Sequence, residues 1–340
     1  MRKLHPGNER VKYRYFVYLR EAQRFDDSTV DMVAKAIARF EAFSKWADFK
    51  TFRADRAVRF KQFMAKQRGE QSGKPLSKAT LNSTLSALRR FFHWLAGQPG
   101  YKSRLTYTDS DYFNLSAKDV RVAGARRRPR VPTLEQLERI VDLMPNESLQ
   151  EKRDRAVIAF VLLTGARDGA VASTKLKHVG IEEGLFYQDA REVRTKASKT
   201  IATYFFPVGG LHRRIVEDWI QFLRTEMLWG DDDPLFPATE LAHDAERRFV
   251  PAGLKREHWS NAGPIRKVFR SAFERAGIPY CGPHSVRKTL ARLGERLCKT
   301  PEEFKAWSQN LGHESVMTTF NSYGQVPLGR QEELIRRMGH

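Results

Sequence analysis

Cysteine is almost absent from this 340-residue chain, which holds only Cys281 and Cys298. Two thiols make no disulfide framework, so a reducing cytoplasm is the expected compartment. There is no Cys/His cluster at ligand spacing and no His-Glu-x-x-His segment, which leaves a bound zinc ion without ligands. No apolar run reaches eighteen residues, and the opening MRKLHPGNER has no apolar signal core. Neither a membrane-spanning helix nor a secretory leader is expected. Internal repeats and low-complexity tracts are missing as well. Acidic residues are the remaining shortage: forty Asp and Glu face sixty Lys and Arg, giving a formal charge of +20 and a pI of about 10.1. That imbalance favours a polyanionic partner, and arginine forks suit phosphates better than a membrane surface.

What is present is mostly helical patterning, on a length that suits two domains. Residues 1–10 read as a tail. Val11, Tyr15, Tyr18 and Leu19 predict a first helix over 9–24. Asp26-Asp27-Ser28 caps a second with Val30, Val33, Ile37 and Phe40, and a third covers 54–67. Behind Ser77, Leu81, Leu85, Leu88, Phe92 and Leu95 alternate spacings of four and three, a narrow apolar seam. Lys78, Asn82, Arg89, Arg90 and His93 lie off it, as a solvated face or as contacts to DNA phosphates. Residues 1–114 therefore read as a helical bundle. Residues 115–131 hold Arg121, Arg126, Arg127, Arg128 and Arg130 with no acid after Asp119, and Pro129 limits helix. They are expected to be a basic interdomain linker that crosses the DNA backbone. Thr133-Leu-Glu-Gln136 is a capping box opening a second domain, 132–340. That domain carries a buried helix through Ala156–Leu163 and short β-prone runs over 184–208, with Lys196-Ala-Ser-Lys199 as a turn. Helical patterns follow at 211–228, 264–276, 284–298, 301–310 and 327–338. The expected fold class is mainly α with a small antiparallel sheet.

The chemistry concentrates in the last sixty residues. His284-Ser-Val-Arg287, Leu311-Gly-His313 and Tyr323 supply cations, imidazoles and one phenol, and no other tyrosine follows Pro283. A phenol with a pKa of about 10 is a poor nucleophile unless its target is made more electrophilic. A phosphodiester gripped by arginines and imidazole N–H groups is such a target. The segment thus reads as a site for joining tyrosine to DNA phosphate. Each piece alone has a plainer reading: a solvated helix face, a glycine-capped helix end, a core tyrosine. Their order is the stronger signal. Thr164-Gly-Ala-Arg167, just after the buried helix, and Lys196 in the turn extend it to Arg, Lys, His-x-x-Arg, His, Tyr.

With those residues in that order, the chain resembles a tyrosine recombinase of the phage integrase family, over both domains. Leu76-Ser-Lys-Ala-Thr80 through Phe92 is similar to the family's SAM-like core-binding domain, and residues from about 131 onward to its α/β catalytic domain. The resemblance implies that Arg167 and Arg287 grip the non-bridging oxygens of the scissile phosphate. It implies N–H donors at His284 and His313, a general acid at Lys196 and a 3′-phosphotyrosine at Tyr323. Cationic side chains then stand in for Mg²⁺, so no metal, ATP or other cofactor is expected. The implied partner is a double-stranded DNA recombination site, clamped by a homo-tetramer that exchanges strands through a Holliday junction, with an accessory DNA-bending protein compatible. The implied setting is a mobile genetic element and a cytoplasmic, nucleoid-associated location. The helix at 327–338 is a candidate for docking on a neighbouring protomer. The start of the chain leaves no room for an arm-site domain, so the simpler two-domain type is expected. Three departures stand out. The family often has an acid three positions after the first arginine; Ala170 occupies that place, and Asp168 follows Arg167 directly. Tyr323 lies ten positions after His313, a spacing slightly longer than is common. Lys199 competes with Lys196, although the first lysine of the turn matches the family better. Two other classes remain open: a type IB topoisomerase and a sequence-specific DNA-binding protein whose catalytic site is idle.

Overall fold

The computed structural model describes residues 4–69, 73–125, 130–244, 246–317, 319 and 328–338. They form two compact units, Met1–Arg127 and Arg128–His340. In the first, α1 (Pro6–Glu21), α2 (Asp27–Phe43), α3 (Ala54–Lys66) and α4 (Lys78–Ala96) form the expected bundle. Asp26 and Ser77 cap α2 and α4 through the backbone N–H groups of Thr29 and Thr80. The seam of α4 is fully used: Leu81, Leu85, Leu88, Phe92 and Leu95 are all buried. Around it Phe40, Phe52, Phe60 and Phe113 gather, with Phe40 edge-on to Phe60 and to Phe92 at 5.3 Å. Residues 117–124, inside the stretch expected to be a linker, form α5 (Ala117–Gly124), which packs on α4.

The second unit is built around α7 (Leu149–Thr164), which is apolar on every side from Ala156 to Leu163 and buried there throughout. A helix of that kind must be surrounded. Among the elements packed on it are α6 (Leu134–Asp142), α9 (Gly210–Thr225), α10 (Gly263–Arg275) and α11 (Pro283–Leu297). Thr133 and Gln136 close the capping box expected for α6. Beside α7 lies an antiparallel sheet in the order β1 (Val179–Gly180), β2 (Leu185–Gln188), β3 (Ile201–Tyr204), with Leu185 opposite Tyr204 and Gln188 opposite Ile201. The short α8 (Asp168–Val171) follows α7, and α12 (Pro301–Asn310) and α13 (Leu328–Met338) complete the unit.

A second two-stranded ribbon, β4 (Pro237–His243) with β5 (Phe249–His258), was not foreseen from the sequence. Its base is fastened by Arg153, a buried arginine of α7. Arg153 Nη1 donates to Pro237 O (3.0 Å) and Thr239 Oγ1 (2.9 Å), and its guanidinium lies 5.0 Å over Trp259.

His212 of α9 is buried, and neither ring nitrogen has a hydrogen-bond partner among the described residues. Burial lowers its pKa; Asp142 opposes this and Arg155 adds to it. The unfolded chain therefore takes up a proton first, at about pH 6.5. The stability held by the neutral ring is complete above that pH and is lost as pH falls through the folded value. The slope is up to about 1.4 kcal/mol per pH unit. In urea unfolding at pH 5 and 7.5, His212→Leu is expected to narrow the difference between the two stabilities.

Candidate active site

The site starts where α7 stops. Gly165 ends the helix at φ +58°, a left-handed conformation that glycine adopts without strain. That turn aims the Gly165 carbonyl at α11, where Arg287 Nη1 donates to it. A Cβ on Gly165 would lie 3.0 Å from Leu290 Cδ1 and 3.1 Å from Leu311 Cδ2. Gly165→Ala is thus expected to lower stability by about 1–3 kcal/mol, read as a lower Tm, and to displace Arg287.

Arg287 is only 5 % exposed. Its Nη2 donates to Leu311 O and to His313 Nε2, the latter at 3.1 Å. Its Nε–H is buried without a partner among the described residues. Arg167, two residues past Gly165, stands close enough to act on it. Burial, then Arg167, pushes the Arg287 guanidinium down to about 9, and burial also lowers Arg167. Among the described residues, no carboxylate pairs with either arginine. Two guanidiniums held together without a counter-charge are unfavourable on their own and form a ready site for an anion.

His313 is placed by the end of α12. Gly312 turns at φ +66°, its N–H donates to Gln309 O (2.7 Å), and His313 N–H donates to Ser308 O (3.1 Å), a Schellman cap. The same helix end is pinned to β3. Tyr204 N–H donates to Asn310 Oδ1 (2.7 Å), Asn310 Nδ2 to Tyr204 O (2.8 Å) and Thr203 Oγ1 to Asn310 O (3.1 Å). A guanidinium only donates, so His313 Nε2 accepts from Arg287, and the proton of the neutral ring sits on Nδ1. Nδ1 lies 2.7 Å from Thr319 Oγ1, which lies 2.7 Å from Ser308 Oγ. Burial first, then Arg287, Arg167 and His284, hold the imidazole down to about 4. His284, on the first turn of α11, is exposed; its pKa is lowered by desolvation, then by Arg287, Lys288 and Arg167. It opens onto a cleft of about 410 Å³ shared with Arg167, Asp168, Arg266 and Tyr280.

The acid next to Arg167 does not serve Arg167. Asp168 Oδ2 accepts from Arg266 Nε at 2.7 Å, and Ala170 is buried. Lys196 opens a one-turn 3-10 helix, Lys196–Ser198, in the connection between β2 and β3, where it is exposed. Lys199 instead forms an ion pair with Glu314, which leaves Lys196 as the lysine of that turn without a described partner.

The structure therefore brings together Arg167, His284, Arg287 and His313. Tyr323, Arg126, Arg127 and Arg128 lie outside the described residues. Of the residues considered for DNA contact, Lys78 pairs with Asp119 (2.9 Å) and Arg89 with Asp111 (2.6 Å). Arg90 lies 5.9 Å over the Phe25 ring, Asn82 is half-buried, and Arg130 is exposed. Thr319, Ser308 and Arg266 were missed from the sequence. Lone hydroxyls and one more arginine among many carry no signal until folding sets them beside His313 and Asp168.

The phage integrase family profile matches residues 130–327. The chain is 25% identical to tyrosine recombinase XerC of Escherichia coli (strain K12 / DH10B) over 252 residues, 72% of this chain and 70% of that one. It is similar in fold to a lambda integrase(75-356) dimer bound to a COC' core site, with a TM-score of 0.63, 16% identity and coverage of 94% and 99%. It is also similar to the XerH site-specific recombinase bound to palindromic difH substrate in a post-cleavage complex, with a TM-score of 0.60, 18% identity and coverage of 92% and 80%.

Proposed function

The chain belongs to the phage integrase family, and from that membership we propose how its residues divide the work of cutting and rejoining DNA at a specific site. It is a tyrosine-type DNA strand transferase acting in site-specific recombination. The observation that carries the assignment of roles is the pair Arg167 and Arg287, neither neutralised by a carboxylate among the described residues. A scissile phosphate supplies the missing charge. Arg287 spends three donors on Gly165 O, Leu311 O and His313. One hydrogen on Nη1 remains for a non-bridging oxygen, and Arg167 takes the other.

The Tyr323 phenol oxygen attacks phosphorus and the bond from phosphorus to the 5′ oxygen breaks. Lys196 gives a proton to that leaving oxygen, and the phenol proton passes to the neutral imidazole of His284 or to water. Rejoining reverses the steps: a 5′ hydroxyl attacks the phosphotyrosine and tyrosine leaves. Tyr323 is four residues beyond Thr319, within about 14 Å of it along an extended chain, so the tether from His313 is short. In the free protein His313 Nε2 accepts from Arg287; an arriving phosphate raises the imidazole pKa and turns that nitrogen into a donor.

The partners follow from the same reading: a duplex recombination site, a homo-tetramer on two such sites, and α13 docking on a neighbouring protomer. The lambda integrase and XerH structures hold their proteins on DNA sites, which supports the duplex partner. A mobile element as the setting, an accessory DNA-bending protein and a nucleoid location complete the proposal.

Covalent trapping tests it. The protein is mixed with nicked suicide duplexes tiled across the DNA beside its own gene and run on denaturing gels. A protein–DNA band on one tile is the expected result. Tight binding to a tile with no band on any would favour an idle DNA binder. Relaxation of supercoiled plasmid lacking that tile would favour a topoisomerase.

A further inference from the structure

We propose that Arg194 is a positioning residue for Lys196, fastening the β2–β3 connection to the body of the catalytic unit. This rests on the general-acid assignment of Lys196 made above. Lys196 itself is exposed and has no described partner, so its position depends on how its loop is held. The root of the loop is fixed at Glu192, which pairs with Lys175 (2.7 Å) and Lys177 (2.9 Å). Beyond the root, two side chains of residues 194–199 make a hydrogen bond or ion pair outside the loop among the described residues. One is Lys199, whose partner Glu314 is 78 % exposed, a pair weakened by solvent.

The other is Arg194. Its Nη1 donates to Ser260 O (2.6 Å), and its Nη2 to Trp259 O (2.6 Å) and Ala172 O (3.1 Å). Its backbone N–H donates to Ser173 Oγ (2.9 Å). One guanidinium thus ties three segments together: the lysine loop, the turn that follows Arg167 and α8, and the link from β5 into α10. The helix that this link leads into, α10, presents Arg266 to Asp168. Three carbonyls in different directions need a planar fork; a lysine ammonium at the same place holds the charge and not the geometry. Backbone carbonyls also have no use for a particular charge, so this pattern marks shape-holding rather than phosphate binding. Lys196 lies two residues further along, and a general acid displaced by about 1 Å loses much of its effect.

The test uses two suicide duplexes: an ordinary one, and one with sulfur in place of the bridging 5′ oxygen. On the second, the tyrosine–phosphorus bond forms and the phosphorus–sulfur bond breaks, and the group departs as a thiolate that needs no proton. Arg194→Ala is expected to slow single-turnover cleavage of the ordinary duplex about 10- to 100-fold. It should leave the sulfur duplex within about two-fold of wild type. Arg194→Lys should behave like Arg194→Ala. Equal losses on both duplexes would overturn the proposal in favour of a role in shaping the whole site. Ordinary cleavage restored by Arg194→Lys would overturn it in favour of a direct charge on DNA. Lys196→Ala is run alongside. If sulfur does not spare Lys196→Ala, the general-acid assignment fails and this inference fails with it. If sulfur spares Lys196→Ala and not Arg194→Ala, only the inference fails.

Discussion

Arg287→Lys is expected to lower the first-order rate of DNA cleavage by about 10²–10³ and to leave duplex affinity almost unchanged. The asymmetry follows from where Arg287 sits. Affinity for DNA is spread over many exposed cations and counterion release, and Arg287 is one buried group among sixty Lys and Arg. The transition state concentrates its charge on one phosphorus. In the role proposed for it Arg287 acts there with a geometry that lysine lacks, since its planar group holds Gly165 O, Leu311 O and His313 at once. A lysine at 287 keeps one point charge, leaves at least one buried carbonyl without its donor, and releases His313 from its partner. Single-turnover cleavage and mobility shifts on the same duplex measure the two effects. A parallel fall in both would mean that Arg287 serves ground-state binding, and the role given to it here would be wrong.

The same residue shows why much of the site was legible in the sequence and part was not. Arg167, Arg287, His284 and His313, grouped from type and order, are brought together by the fold, because phosphate chemistry limits which side chains a sequence reading would group. The seam of α4 and the buried α7 were legible because burial imposes a period or a continuous apolar run. The ribbon of β4 and β5 was not. Its strands contain Pro237, Pro251, Gly253 and several charges, which local propensity reads as loop. It is held from outside, by Arg153 and by Gln150 Nε2 donating to Gly253 O (3.0 Å). Arg194 was hidden for a related reason. In a chain this basic an arginine two places before a lysine looks like more surface charge, and its partners are carbonyls that no side-chain pattern encodes. Helices also began or ended a few residues from their expected limits, as with α1, expected over 9–24 and found at Pro6–Glu21.

Tyr323→Phe is expected to remove the covalent protein–DNA product, a loss of at least about 10⁴-fold, with DNA binding intact. Removing one hydroxyl changes no charge and no buried cation, so a binding role predicts little change and a nucleophile predicts complete loss. The cleft contains a rival phenol that sequence order alone did not weigh. Tyr280 lines it together with His284, and its ring lies 4.8 Å under the Arg270 guanidinium. Tyr280 is 40 % exposed, so access does not set it aside. Attachment does: it precedes α11 directly, and the Arg270 contact together with Phe273 edge-on at 6.1 Å fixes the direction of its ring. A nucleophile that must carry a DNA strand and later release it to another needs a tether that can move with the strand. Tyr280→Phe should therefore keep the covalent band while Tyr323→Phe loses it. The reverse pattern on the same gel would transfer the nucleophile to Tyr280 and leave Arg167, Arg287 and the two histidines in the roles given to them.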